Sequence, residues 1–587
     1  MDRNTVTAIV LSTVVIVAGF TIQSKFFPNK TAIPVQPRQE VPELTVIDSP
    51  SPATTEDSSD KSQQEPAFLE KDSGQEVQSE QRFFIETDLV RVEFTNKGGD
   101  IVSYKLKQHK DRDELVEMAS SVTDSNRAFS ILLGSSEGQI LDQYFNVKRI
   151  NDNEIGFYRS FTVQNADGSK GSFTLAKQYS FIPGQYLFEL KVTIDGDAAL
   201  DGLRFGDAAY TIKTSPQIGP RWHVKEDKYE YRKFFYLLNG KKKTVTVNAG
   251  QSKSNNENFS WTAVAGKYFT LIAIPEAPLA GVRYSAVTID PSVPVSQMYL
   301  TRPAISGNRN TDLWRFYIGP RTDKNLAMYN ISTNNPFGIG DAKLNEMVES
   351  SGILAPLEIL LKLIMELFYS FIPNWGISII LMTILMRIVI FPLTKKSSEA
   401  TLKMQEHAPK MQEIQAKYKG NPQKLNEEMA KFYQSSGYNP LSGCLPLLIQ
   451  FPLIFAMYNL FNNYFEFRGA MFIPGWIPDL SQGDSVLAFP FTVPLVNWTE
   501  LRILPIIYVV SQLLFGKVTQ TPTSAQQNSS MKFMMYGMPL MFFFLFYNAP
   551  AGLLIYWTFS NILTLGQQIV INKMMHAKKA KGLELVK

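Results

Sequence analysis

Along the chain the spacing of apolar residues changes three times, and each change marks a different kind of element. Thr5 to Ile22 is an uncharged apolar run preceded only by Met1-Asp2-Arg3, the length of a membrane-spanning helix or of a long signal sequence. No small-x-small cleavage site leads cleanly onward and no cysteine lies nearby for lipidation. Residues 1–27 are therefore read as an uncleaved anchor with a cytoplasmic N-terminus. Residues 28–82 are rich in Pro, Ser, Thr, Gln, Glu and Asp, too polar to order themselves by burial, and are expected to be a disordered tether.

From Phe83 the period becomes two. Val90, Val92 and Phe94 alternate with Arg91, Glu93 and Thr95, and Phe188, Leu190, Val192 and Ile194 alternate with Glu189, Lys191 and Thr193, as in strands buried on one face. Turn signals recur between such runs at Lys97-Gly98-Gly99-Asp100, Ala166-Asp167-Gly168 and Pro183-Gly184. The pattern predicts a many-stranded antiparallel β-sandwich over residues 83–340.

After Leu344 the apolar segments lengthen, and spans are predicted at 374–394, 441–462, 501–517, 533–548 and 552–571. Residues 352–373 are long enough to cross but carry Glu358, Lys362 and Glu366 four apart, a polar stripe that suits an interfacial helix. Loop charge gives an independent argument. Residues 395–440 hold eight Lys and five Glu, whereas 463–500 hold one Arg and four acids. Positive loops stay in the cytoplasm, so helix 352–373 lies on the outer surface and the β domain is expected in the periplasm of an inner membrane. The basic tail 576–587 falls in the cytoplasm with the C-terminus. Within the first loop, 395–436 reads as a cytoplasmic helical hairpin broken at Lys419-Gly420-Asn421-Pro422. A plain connector needs only a few residues, so partner binding is a plausible use beside a solvated link.

Composition narrows the chemistry. A formal charge of +4 over 587 residues gives no reason to expect a sequence-specific nucleic-acid partner. The single Cys444 excludes an intramolecular disulfide. There is no nucleotide-binding loop and no His-Glu-x-x-His, and the four histidines are scattered, so no enzyme activity, cofactor or metal is expected. Gly134-Ser135-Ser136-Glu137-Gly138 matches a nucleophile elbow formally, but strand-like runs on both sides make it a hairpin turn.

Arg387 is the most informative residue, because a guanidinium keeps its proton and costs about 2.5–3.5 kcal/mol at the centre of a span. It could snorkel to the cytoplasmic end at Thr394, seven residues or about 10 Å away. Alternatively it lines a polar cavity with Thr383 one turn back and with Gln450, Asn561 and Gln568 from other spans, although such uncharged groups also serve as interhelical glue.

Asn374-Trp375-Gly376, Arg387 with Phe391-Pro392-Leu393-Thr394, Asn439-Pro440-Leu441 before Gly443-Cys444-Leu445-Pro446-Leu447-Leu448-Ile449-Gln450, and Pro550-Ala551-Gly552-Leu553 before Tyr556 together resemble the YidC/Oxa/Alb family of membrane-protein insertases over residues 352–575. The anchor and sandwich, through Asn96-Lys97-Gly98-Gly99-Asp100 and Tyr317-Ile318-Gly319-Pro320, resemble the Gram-negative form, whose periplasmic domain is a galactose-mutarotase-type β supersandwich. The resemblance implies a five-helix bundle with a hydrophilic groove open to cytoplasm and lipid. It implies Arg387, Thr383 and Gln450 as groove residues, and Tyr556 and Trp557 where the last span meets substrate. It implies nascent membrane proteins as substrates, membrane lipids around the bundle, and the Sec translocon and ribosome or targeting machinery as partners. Trp557 departs from the aromatic often found at its position, and the tail is short for ribosome attachment. A solute transporter or channel is the rival reading, and an anchored sugar-modifying enzyme a second. Five spans without an evident inverted repeat weigh against the first, and no paired His and carboxylate supports the second.

Overall fold

The computed structural model describes Phe68–Leu69 and residues 79–580, apart from 112, 165–169, 199, 201, 223–229, 288–294, 349–351, 419, 436–444, 494–495, 497 and 520–535. The N-terminal anchor, most of the tether, the Ala166-Asp167-Gly168 turn, Cys444 and the last seven residues lie outside that set.

The period-two region is a β domain of three antiparallel sheets. The largest has ten strands, in the order Phe68–Leu69, Glu154–Gln164, Lys170–Phe181, Leu187–Gly196, Arg309–Pro320, Phe269–Pro275, Trp261–Ala265, Lys233–Leu238 and Lys241–Val245, with Asn146–Asn151 also paired to Glu154–Gln164. Six strands form the second: Ser252–Asn255, Gly281–Ser285, Gln297–Pro303, Ala208–Lys213, Ser130–Leu133 and Gln139–Ile140. The third joins Arg82–Glu86, Val90–Thr95, Asp100–Asp111 and Glu114–Glu117. Phe68–Leu69 falls inside the segment read as a tether. An apolar pair in a polar stretch, it pairs with Val163 and Thr162.

The alternation works as the sequence suggests except at Thr95, which ends its strand and is buried. Val90, Val92, Phe94, Phe188, Leu190, Val192 and Ile194 are all buried and all three sheets feed one core. Trp314 Nε1 donates to the Tyr210 hydroxyl at 3.0 Å between the large and second sheets, and Phe94 packs on Tyr179, 5.0 Å between ring centroids, between the third and the large. Gly98 and Gly99 have φ of 69° and 63°, which only glycine adopts freely. A Cβ at Gly98 would also stand 2.6 Å from the Leu141 carbonyl oxygen. That turn delivers Asp100 to a buried ionic cluster with Lys177 (2.6 Å) and Arg127 (3.0 Å). The Lys177 ammonium also donates to the carbonyls of Gly98 and Phe129. Full hydrogen bonding is what makes buried charge tolerable. Gly134–Gly138 is a hairpin turn, with Leu133 opposite Gln139 and the Gly138 N–H on the Ser135 carbonyl.

The C-terminal region is helical: α1 (Ala355–Phe371), α2 (Trp375–Lys417), α3 (Pro422–Ser435), α4 (Leu445–Asn463), α5 (Leu504–Thr519), α6 (Met538–Phe546) and α7 (Ala551–Ala580). One helical stretch among the described residues, Trp375–Lys396, is long and apolar enough to cross a membrane by composition. The helices run beyond the predicted apolar spans. α2 continues past the apolar span through the charged arm to Lys417, because the Lys-, Ala-, Glu- and Gln-rich sequence after Thr394 offers no cap. α7 likewise continues past 571 to Ala580. Gly420, Asn421 and Pro422 do break the helix: the Asn421 side chain caps the Lys424 N–H at 3.1 Å and Pro422 opens α3. Residues 400–435 belong to a compact unit separate from the other helices and the β domain, and in it Phe432 meets the His407 ring edge-on at 5.5 Å.

Helix α1 shows three faces. Leu361 and Met365 are buried. Ile359, Leu360, Leu363, Leu367 and Phe371 are exposed. The polar stripe turns toward the end of α4, where the Tyr464 hydroxyl donates to Glu366 at 2.9 Å and Lys362 lies over the Tyr464 ring.

Candidate functional site

Three short motifs place the helices. Asn374 accepts the Ile377 N–H on its side chain at 3.1 Å, a cap for α2. Trp375 stacks on Tyr369 with centroids 4.1 Å apart. Gly376 lies so close to Phe472 that a Cβ would fall 2.1 Å from its ring. At the start of α7, Ala551 and Gly552 donate their N–H groups to the carbonyls of Gln482 and Leu480, at 2.6 and 3.0 Å. These donors have no partner within the helix, so the loop between α4 and α5 satisfies them. The same loop supplies Asp484, buried, whose Oδ2 accepts from Ile503 N (2.7 Å), Leu504 N (3.0 Å) and Trp476 Nε1 (3.1 Å). Asp484 thus caps α5, and its negative charge sits where a helix N-terminus is positive.

Within this frame Arg387 projects from α2 toward α7. Its guanidinium donates to the Ser560 hydroxyl, and its backbone carbonyl accepts from Gln567 Nε2 at 3.0 Å. Among the described residues no carboxylate pairs with it, so the charge rests on the Ser560 hydroxyl and stays uncompensated. The neighbouring Ile388 and Val389 are each 64% exposed and face away. Ser560 lies nine residues into α7, about 13.5 Å from its start at 1.5 Å per residue. The side chain therefore reaches across to a hydroxyl in another helix.

The sequence-selected residues do not form one cluster. Thr383 is buried one turn before Arg387 and spends its hydroxyl on the Ile379 carbonyl at 2.7 Å. Tyr556 is buried, with its ring 5.8 Å from Phe461 and a side-chain link to Ser560 one turn on. Arg387 and Tyr556 thus meet at Ser560 between α2 and α7, and Thr383 lies one turn before Arg387 on α2. Asn561 instead faces α5, donating to Ser511 Oγ at 3.0 Å, and Trp557 packs between Tyr508 and Phe546. Gln568 bonds Asn572 on its own helix at 2.9 Å. Gln450 lies on α4, and its side chain is outside the described residues. Sequence reasoning missed Ser560 and Gln567, the two groups that touch Arg387. Their signal was spacing: Tyr556, Ser560 and Gln567 are four and seven apart, one face of a helix.

Residues 82–343 match the family described as "YidC periplasmic domain" and 367–579 that described as "60Kd inner membrane protein". A Treponema denticola protein called "Membrane protein insertase YidC" is 52% identical, covering 98% of this chain and 100% of that protein. Its Treponema pallidum namesake is 42% identical over 99% and 100%. A crystal structure of an active YidC insertase with its first transmembrane domain resolved aligns with 84% of this chain and 93% of its own at 17% identity and a TM-score of 0.34.

Proposed function

The chain belongs to the YidC family of membrane protein insertases, and from that premise we propose how its own residues carry the activity. It is a membrane-inserted protein that inserts other membrane proteins. In our reading the α2–α7 seam around Arg387 receives the polar segment that a nascent membrane protein must move across, whose passage through hydrocarbon would be prohibitive. The observation that carries this is the Arg387 guanidinium, held by Ser560 with no carboxylate partner among the described residues. An uncompensated cation away from bulk water attracts substrate carboxylates strongly. Thr383, Tyr556 and Gln567 keep the seam polar, and Gln450, Trp557, Asn561 and Gln568 extend the substrate path. Apolar spans of the substrate then pass to lipid along α4 and α6, where Phe455, Leu540, Met541 and Phe544 are exposed. No ATP site enters the proposal. The work comes from burying substrate spans and from the membrane potential, about 2.3 kcal/mol per charge per 100 mV.

The loop charges support an inner-membrane topology with both termini and the α2–α3 hairpin in the cytoplasm and the β domain in the periplasm. The Sec translocon and the ribosome or targeting machinery are the proposed partners, with the hairpin and the basic tail as the surfaces offered to them. The test is reconstitution of the full chain into liposomes with a small single-span substrate, followed by protease protection. Protection that rises with time over empty liposomes is the expected result. Protection no greater than in empty liposomes, with the chain correctly incorporated, overturns the proposal.

A further inference from the structure

The loop between α4 and α5 contains a two-stranded hairpin, Leu487–Val493 with Trp498–Leu501, that the insertion mechanism does not use. Residues 485–499 carry no ionisable side chain. Leu487 is 57% and Phe491 61% exposed, and Val486 beside them is 47%. Leu487, Phe489, Phe491 and Val493 alternate along the strand, and the rings of Phe489 and Phe491 stack 5.6 Å apart at 14°, as side chains on one face do. An apolar hairpin of this kind facing water would be an aggregation site.

Its surroundings say what covers it. Trp498, at the base of the hairpin, stacks on Tyr547 with centroids 3.6 Å apart and on Phe544 at 5.8 Å. The Tyr547 hydroxyl donates to the Glu500 carbonyl at 2.9 Å and accepts the Arg502 N–H at 3.2 Å. The hairpin is thus strapped to the end of α6, whose Leu540, Met541, Phe544 and Leu545 form the exposed apolar face. Through Trp498 on Phe544 the base of the hairpin joins that face. The charges at its base are turned inward or paired: Asp484 is buried, and Arg502 meets Glu500 at 2.9 Å. An aromatic pair at a helix end and an uncharged row above it match the chemistry of the bilayer interface.

We infer that this hairpin is a lipid anchor that lays Leu487, Phe489 and Phe491 into the headgroup–acyl boundary of the leaflet on its side of the membrane. The backbone sets the depth. Ladder pairing is interrupted between Ala488 and Val493 and Pro490 has no N–H, so the unpaired groups of a two-stranded ribbon keep it out of the hydrocarbon centre. Side chains enter and the ribbon stays at headgroup level. The occupant is phospholipid, and the anchor fixes the depth of the α5 and α6 ends that border the substrate path. This inference rests on the reading of α2, α5 and α6 as membrane helices.

The test uses the full chain with Cys444→Ser and one new cysteine, labelled with an environment-sensitive fluorophore, in liposomes of phosphatidylethanolamine and phosphatidylglycerol. The probe sites are Phe491→Cys on the hairpin, Val389→Cys on α2 as the deep reference and Lys253→Cys on the β domain as the aqueous one. The Phe491 label should be quenched at least twofold more by nitroxides near the headgroup than by nitroxides deep in the chain, and should resist aqueous iodide. Iodide quenching without nitroxide quenching, while Val389 is still quenched from the lipid, overturns the anchor alone. Protection from both quenchers places a protein surface, such as a second copy, on the hairpin and also overturns it. Loss of lipid quenching at Val389 overturns the membrane reading itself.

Discussion

Replacing Arg387 separates attraction by charge from hydration by a polar group. Ser560 is the guanidinium's hydroxyl partner, and no acid neutralises it among the described residues, so the field it projects is close to that of a full charge. For a substrate carboxylate at about 6 Å and an effective dielectric constant of about 20, the attraction is about 2.8 kcal/mol. At about 1.4 kcal/mol per factor of ten, that is roughly a hundredfold in the partition of an acidic segment into the seam. Arg387→Ala should remove most of it, whereas Arg387→Lys should keep the charge and lose the planar fork to Ser560, leaving a several-fold defect. The assay follows protease-protected product in proteoliposomes for two versions of one substrate, with Asp and Glu in its translocated segment or with Asn and Gln in their place. The acidic version should slow about tenfold or more with Ala and the neutral version far less. Equal slowing of the two would refute charge attraction, and hydration of the seam would then be the arginine's role.

Three further outcomes follow from contacts at the outer loop. Asp484→Ala strips acceptors from two N–H groups at the start of α5 and from the Trp476 indole. It should destabilise the helical region by about 2–4 kcal/mol, seen as a lower midpoint in detergent melting, with Asp484→Asn milder. His109 lies against Phe269 and Phe465, bonds the Tyr186 hydroxyl at 3.1 Å, and is held down to about 4, first by burial and then by Arg468. Because its folded value lies below the free imidazole's 6.5, the contact is fully stable above about pH 6.5 and loses stability, on the order of 2 kcal/mol, as pH falls toward 4. Amide hydrogen exchange at residues 465–468, corrected for its intrinsic pH dependence, should rise as pH falls across that window, and His109→Phe should abolish the rise. In a Cys444→Ser background, a cysteine at Lys403 should be shielded from impermeant thiol reagents in intact cells while one at exposed Met471 is labelled, and the reverse pattern would invert the proposed topology.

The β domain was legible because period-two burial is a local rule: each buried residue at Val90, Val92 and Phe94 has an exposed or half-buried neighbour to mark the face. The three-sheet order was not, since strand Arg309–Pro320 pairs with Leu187–Gly196 more than a hundred residues away and nothing in either strand names its partner. Among the helices, apolar length found the segments but not their ends. α2 runs through Thr394 because a change from apolar to charged residues alters solvent preference without altering helix propensity. At the seam, Arg387 stood out by the cost of burying a charge. Ser560 and Gln567 carry no such cost and became visible only when α7 was set against α2. Asn561 was grouped with Arg387 by polarity, yet its side chain turns to Ser511.

The loop after α4 has two attachments that place the β domain and α7 mechanically in series. At one end Phe465 sits edge-on against His109, Tyr268 and Phe269, with Arg468 over the Phe269 ring. At the other, the carbonyls of Leu480 and Gln482 hold the first amides of α7. A pull on the β domain travels through some fifteen residues of loop before it reaches the helix that carries Ser560. The loop's stiffness sets how much of that pull arrives at α7.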